Sequence, residues 1–110
     1  MAFRNGRKVS IPYLAAGTAV ASTLIPYSDV GGKLVEVKVN IPNCANDVTF
    51  TFSILDEEGD TTFAVAALAR NAATMSFSDR IIQRGYKYAI TASGATGTAI
   101  TVVLSPTYEV

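Results

Sequence analysis

The sequence contains no histidine and no tryptophan, and Cys44 is its only cysteine. A single cysteine cannot form an intrachain disulfide. A nucleophilic cysteine needs an activating partner such as histidine, and this chain has none to offer. We therefore expect Cys44 to be a small buried residue, and the sequence predicts a protein that is not an enzyme.

Charged residues are also scarce. They make up 16% of the chain, below the roughly 25% of an average soluble domain. Low charge is typical of a protein that buries surface against other subunits, but abundant alanine and threonine give the same value without such a surface. Nine basic and nine acidic residues cancel, so the balance points to neither nucleic acid nor an anionic membrane as a partner.

The few charges are unevenly distributed along the chain. Arg4, Arg7 and Lys8 precede the first acidic residue, Asp29, and four acids fall within Asp56–Asp60. The two clusters are expected either to meet across subunits or to remain solvated. The acidic spacing does not follow the EF-hand pattern, and hairpin loops are polar in any case. We therefore predict no metal site and no cofactor.

No hydrophobic run is long enough to cross a bilayer. The mildly apolar segment Leu14–Ala21 follows basic residues and has the composition of a signal-peptide core. Pro12, Gly17 and Thr18 weaken that core. We expect the segment to remain part of the protein.

What the sequence does contain is strict period-two alternation. From Val48 to Ile54 every second residue is large and apolar, and the residues between are Thr or Ser. Such alternation places one set of side chains on a buried face and the other in water. Asp56–Asp60 then reverses the chain into Thr62–Val65, so a β-hairpin is predicted. Leu34–Ile41 shows the same half-buried pattern.

Alternation returns near the end of the chain, in Tyr86–Ala92 and again in Thr98–Leu104. The loop Gly94–Gly97 joins them, and we predict a second hairpin that ends at Pro106. The alanine-rich stretch Thr61–Ala73 is ambiguous, and we predict a strand to about Ala66 followed by an irregular turn.

Six or seven short strands joined by Gly, Asn, Asp and Pro turns predict an all-β protein. The expected fold is a single antiparallel β-sandwich, of jelly-roll or immunoglobulin-like type. Residues 1–32 are predicted to be an extended N-terminal arm with one or two short strands, and residues 33–110 the sandwich domain.

The order of features in four segments resembles small β-sandwich proteins of tailed bacteriophage virions. The segments are Phe50–Phe63, Ala66–Ala69, Tyr88–Ala95 and Ile100–Leu104. The resemblance implies a head decoration, or cement, protein that is made in the host cytoplasm and sits on the capsid surface of the virion. Its implied partners are the major capsid protein and further copies of itself, with a trimer favoured.

The same resemblance implies that the N-terminal arm reaches onto the capsid or a neighbouring subunit. The residues expected to make this contact are Arg4, Arg7, Lys8 and Tyr13. Deleting residues 2–12 should then abolish capsid binding and leave the sandwich folded. The alternative is a tail, neck or fibre module that contacts a host receptor or glycan through the loops Asp56–Asp60 and Gly94–Gly97.

Overall fold

The computed structural model describes residues 3–13, 20–26 and 29–109, without the side chains of Phe77 and Asp79. Most of the predicted signal-like segment, residues 14–19, lies outside the described residues. The described part of the chain forms nine β-strands: β1 Phe3–Asn5, β2 Val9–Tyr13, β3 Ala21–Leu24, β4 Lys33–Ile41, β5 Thr49–Leu55, β6 Thr61–Ala69, β7 Ala72–Ile81, β8 Lys87–Ala92 and β9 Ile100–Glu109.

The strands form two antiparallel sheets. In the first sheet the order is β2-β9-β4-β7, with β1 beside the far end of β9, and in the second sheet it is β3-β8-β5-β6. The pairs β2–β9, β3–β8, β4–β7 and β5–β6 are nested within one another. The chain is therefore one long hairpin rolled into two sheets, which is the jelly-roll arrangement. The predicted all-β sandwich is confirmed.

The core lies between the sheets and follows the alternation seen in the sequence. In β5 the alternate residues Phe50, Phe52 and Ile54 are fully buried, and the residues between them are partly exposed. Val37 and Val39 of β4 face them from the first sheet. Complete burial of each such side chain contributes about 1.5–3 kcal/mol.

The N-terminal segment is not separate from the sandwich. Its described residues form β1 and β2 of the first sheet and β3 of the second. Val9, Ile11 and Tyr13 belong to the same buried cluster as the rest of the core. A boundary between residues 32 and 33 therefore does not divide an arm from a domain. The sequence predicts one or two short strands in this segment, and β2 includes Pro12 because proline is tolerated at a sheet edge, where β2 lies.

The prediction that β8 and β9 form a hairpin is wrong. β8 pairs with β3 and β5 in the second sheet, whereas β9 pairs with β1, β2 and β4 in the first. The loop between them crosses from one sheet to the other. Pro106 does not end β9 either, because the strand continues to Glu109. The Pro106 carbonyl accepts a hydrogen bond from Gly6 N at 2.9 Å.

The hairpin between β5 and β6 is confirmed, with Ser53 opposite Ala64. β6 continues to Ala69, beyond the predicted limit, because a local irregularity with Ala67 at a φ of 60° absorbs the expected break. A two-residue connection through Asn71 then carries the chain into β7 of the first sheet.

Candidate partner-binding surface

Tyr13 is a core residue. It is 2% exposed, and its ring meets Phe50 edge-on at 6.2 Å between centroids. Its hydroxyl accepts a hydrogen bond from Ala92 N at 3.0 Å, which ties β2 to the end of β8 in the other sheet. A side chain buried in this way cannot belong to a surface that contacts a partner, so its place in the predicted contact set is wrong.

Arg4 is held within its own domain. Its Nη1 lies 3.2 Å from Asp29 Oδ1, and its guanidinium lies 5.2 Å from the centre of the Tyr108 ring. The Asp29 side chain is only 2% exposed and also accepts a hydrogen bond from Arg7 N at 3.3 Å. A buried carboxylate needs such partners. Arg4 therefore supports the fold. A hint of this pairing is visible in the sequence, because Asp29 is the first acidic residue that follows Arg4.

Asp29 lies beside a hydrogen bond that joins the two sheets through the core. The hydroxyls of Tyr88 on β8 and Tyr108 on β9 are 2.6 Å apart, and both residues are fully buried. Burial raises the pKa of both phenols, that of Tyr108 to about 12. Two neutral buried tyrosines that satisfy each other hold the sheets together, so we assign this pair to the fold.

Arg7 and Lys8 are exposed, as the sequence predicts. They lie in the turn between β1 and β2, and Lys8 lines a groove of about 300 Å³ on the outer face of the first sheet. Lys38 and Glu36 of β4 and Met75 of β7 line the same groove. Among the described residues, Arg7, Lys8 and Lys38 make no ion pair.

Three exposed hydrophobic side chains share this outer face. Phe3 is 58% exposed, Ile81 57% and Met75 48%. Phe3 and Ile81 lie at the two ends of one row across the sheet, with the Glu109–Lys33 ion pair of 3.8 Å between them. We call Phe3, Lys8, Lys38, Met75 and Ile81, together with Arg7 of the adjoining turn, the basic-apolar face.

Sequence reasoning found only part of this face. Alternation along β4 places Lys38 on the solvated side, but it does not show that Met75 of β7 lies beside it. Phe3 and Ile81 are far apart in sequence and come together only because β4 and β9 lie between their strands. Strand register across a sheet was the missing information.

The acidic loop Asp56–Asp60 is a tight turn. Asp56 Oδ1 accepts hydrogen bonds from the main-chain N–H of Glu58 and Asp60, each at 2.9 Å. Gly59 has a φ of 89°, which favours glycine. In the part of the chain that the structure describes, no three acidic, histidine or cysteine side chains are grouped to hold a metal ion.

The two loops expected to form a glycan contact lie at opposite ends of the sandwich. β5 and β8 are antiparallel neighbours, with Leu55 beside Lys87 and Phe50 beside Ala92. The loop after Leu55 therefore leaves one end of the sheet and the loop after Ala92 leaves the other, about 20 Å away. They cannot form one contact within a single copy.

Cys44 is 5% exposed, and its Sγ lies 3.2 Å from the Asn46 carbonyl oxygen. The prediction of a small buried residue is confirmed. None of the described residues forms a helix long and apolar enough to cross a membrane. Comparison with known proteins finds no matching family, no matching curated protein and no matching solved structure.

Proposed function

We propose that this protein is a structural component of a bacteriophage virion that decorates the head and stabilises its lattice. Two features support the proposal besides the resemblance in sequence. The jelly roll is an architecture that viral capsid domains use repeatedly. The described chain also presents one face suited to a protein partner.

The basic-apolar face is the observation that carries the proposal. Phe3, Met75 and Ile81 are three of the five large hydrophobic residues exposed in the described chain, and they lie on one face of one sheet. Exposed apolar groups bordered by polar residues mark interaction surfaces. The cations Arg7, Lys8 and Lys38 outnumber Glu36, the acidic residue that lines the groove beside Lys8 and Lys38, so the partner surface they fit is acidic. On this proposal that surface belongs to the major capsid protein.

Binding to heads assembled without this protein tests the proposal. The triple variant Arg7→Glu, Lys8→Glu and Lys38→Glu should lose most of its occupancy, because acidic side chains would face an acidic surface. Binding by the wild type should also weaken as salt concentration rises.

Lys87→Glu is the matched control, because Lys87 belongs to β8 in the other sheet. It should bind heads as the wild type does. Equal occupancy of the triple variant and the control would contradict a role for the basic-apolar face. Failure of the wild type to bind heads at all would contradict the decoration role.

A further inference from the structure

The free edge of β7 is unusual among the edges of the two sheets. β3 has four residues, and β1 and β2 are short strands separated by the charged turn that holds Arg7 and Lys8. β6 breaks its register twice against β5. Short length, charge and bulges are the devices that protect sheet edges from pairing with another chain. Among the described edge strands, only β7 combines length with a regular, uncharged stretch, Ala72–Ser78.

A buried hydroxyl on β7 has no partner among the described residues. Ser76 is 5% exposed, and its Oγ makes no hydrogen bond with any described group. It lies opposite Val37, a core residue, so it is on the inner face of the strand. A buried hydroxyl without a partner costs about 1–3 kcal/mol, and buried polar groups are almost always satisfied. The neighbouring strand position beyond β7, which no described strand occupies, is where a partner would lie.

The same stretch exposes Met75 on its outer face, at 48%. β7 therefore has three groups without a partner in the described part of the chain. They are its backbone edge, the inner Ser76 hydroxyl and the exposed outer side chain of Met75. Met75 is the central residue of Ala72–Ser78, so the features are arranged about the middle of the uncharged stretch.

We infer that β7 pairs with β7 of a second copy of this chain, antiparallel about a two-fold axis through Met75. In this register Thr74 of each copy lies opposite Ser76 of the other, on the inner face. Opposed Thr and Ser side chains form cross-strand hydrogen bonds, so each Ser76 hydroxyl, once its side chain rotates toward the strand edge, gains Thr74 of the other copy as a partner. Met75 meets its own copy on the outer face.

Charge favours a second copy over a different strand. A two-fold axis places each residue near its own copy, so a charged strand would repel itself, whereas Ala72–Ser78 carries no charge. The pairing would join two first sheets edge to edge. The two basic-apolar faces would then lie on one continuous surface.

Met75→Glu tests the pairing by sedimentation velocity over a range of concentrations. Within one chain the new carboxylate would lie beside Lys38, its neighbour on β4, so the fold should be kept. Across the two-fold axis two carboxylates would meet. We expect a dimeric wild type and a monomeric, folded variant.

Ser105→Glu is the matched control. Ser105 flanks Lys38 from the opposite side, on β9 in the interior of the sheet. It adds the same charge next to the same lysine without touching the β7 edge, so the dimer should persist. Equal dissociation by both variants, or no dissociation by Met75→Glu, would overturn the pairing.

Ser76→Ala should have opposite effects on the stability of the monomer and on the stability of the dimer. In a monomer the change removes an unsatisfied buried hydroxyl and should leave stability unchanged or raised. In the dimer it removes two hydrogen bonds by symmetry and should raise the dissociation constant roughly tenfold. An unchanged dissociation constant would contradict the pairing of Ser76 with Thr74.

A monomeric wild type, or the trimer that the sequence resemblance implies, would overturn this inference. Neither result would bear on head binding through the basic-apolar face, which is measured separately with assembled heads.

Discussion

At the scale of single residues, a buried polar group connects the two sheets. Tyr88 and Tyr108 share a hydrogen bond of 2.6 Å, and Arg4 and Asp29 lie against Tyr108. Alternation along β8 predicts that Tyr88 is buried. It could not predict Tyr108, which the sequence places in a short tail after Pro106. A proline is read as a strand end from sequence because it lacks an N–H, yet β9 tolerates one.

Tyr108→Phe should destabilise the protein by about 1–3 kcal/mol, because it leaves the Tyr88 hydroxyl buried without a partner. Adding Tyr88→Phe should recover part of that loss, since removing both hydroxyls leaves no unsatisfied group. Urea denaturation of the two single variants and the double variant measures this coupling. A double variant whose loss equals the sum of the two single losses would contradict the arrangement.

The tyrosine pair also predicts how stability depends on pH. Burial is the main reason why the pKa of Tyr108 rises from 10.0 to about 12, and burial likewise raises the pKa of Tyr88. Because the folded pKa lies above the unfolded value, the stabilisation is complete below pH 10. It is lost as pH rises from 10 through about 12.

Urea denaturation at increasing pH checks this prediction. The free energy of unfolding should fall above pH 10, and less steeply in Tyr108→Phe than in the wild type. The absorbance of the Tyr108 tyrosinate, measured as the difference between the wild type and Tyr108→Phe, should titrate near pH 12 in the native protein. A midpoint near pH 10 would show that Tyr108 is not buried.

At the scale of elements, strands were predictable and their partners were not. Period-two alternation located β4, β5 and β8, because burial of one face leaves a local signal in the sequence. Partner choice leaves no such signal. A short Gly-containing loop between two strands fits a hairpin, as between β5 and β6, and equally a crossing between sheets, as between β8 and β9. The basic-apolar face depends on partner choice, so only Arg7 and Lys8 of its members were predicted as contacts.

The connection from β6 to β7 depends on one backbone conformation. Asn71 has a φ of 52°, in the left-handed region that asparagine tolerates and β-branched residues avoid. Asn71→Val should therefore cost about 1–2 kcal/mol. Asn71→Gly should change the free energy of unfolding much less, because glycine adopts the left-handed region without strain. Thermal unfolding of the two variants compares them, and equal stabilities would show that the turn does not require this conformation.

At the scale of the whole molecule, the first and last described strands complete one sheet. β1 and β2 both pair with β9, and Val9 lies opposite Leu104. The N-terminal segment is therefore part of the fold. Its short strands were predicted from the sequence, but their pairing with β9 was not, because the partner of a strand leaves no local signal. Nested pairing of this kind also makes folding depend on contacts between distant residues, which slows it.

Deleting residues 2–12 should unfold the sandwich or lower its melting temperature strongly. The deletion removes β1 and most of β2, and it uncovers Val102 and Leu104 on β9. The expectation from sequence, that the sandwich survives this deletion, does not fit these pairings. Circular dichroism during heating decides the matter, and a truncated protein that melts at the wild-type temperature would contradict the role of β1 and β2.

We propose that this protein covers the lattice of a phage head. The most direct test is its copy number in purified virions relative to the major capsid protein, measured by quantitative mass spectrometry. A protein that covers the head lattice should give a ratio near one to one. A few to a few dozen copies per virion, or none, would contradict it.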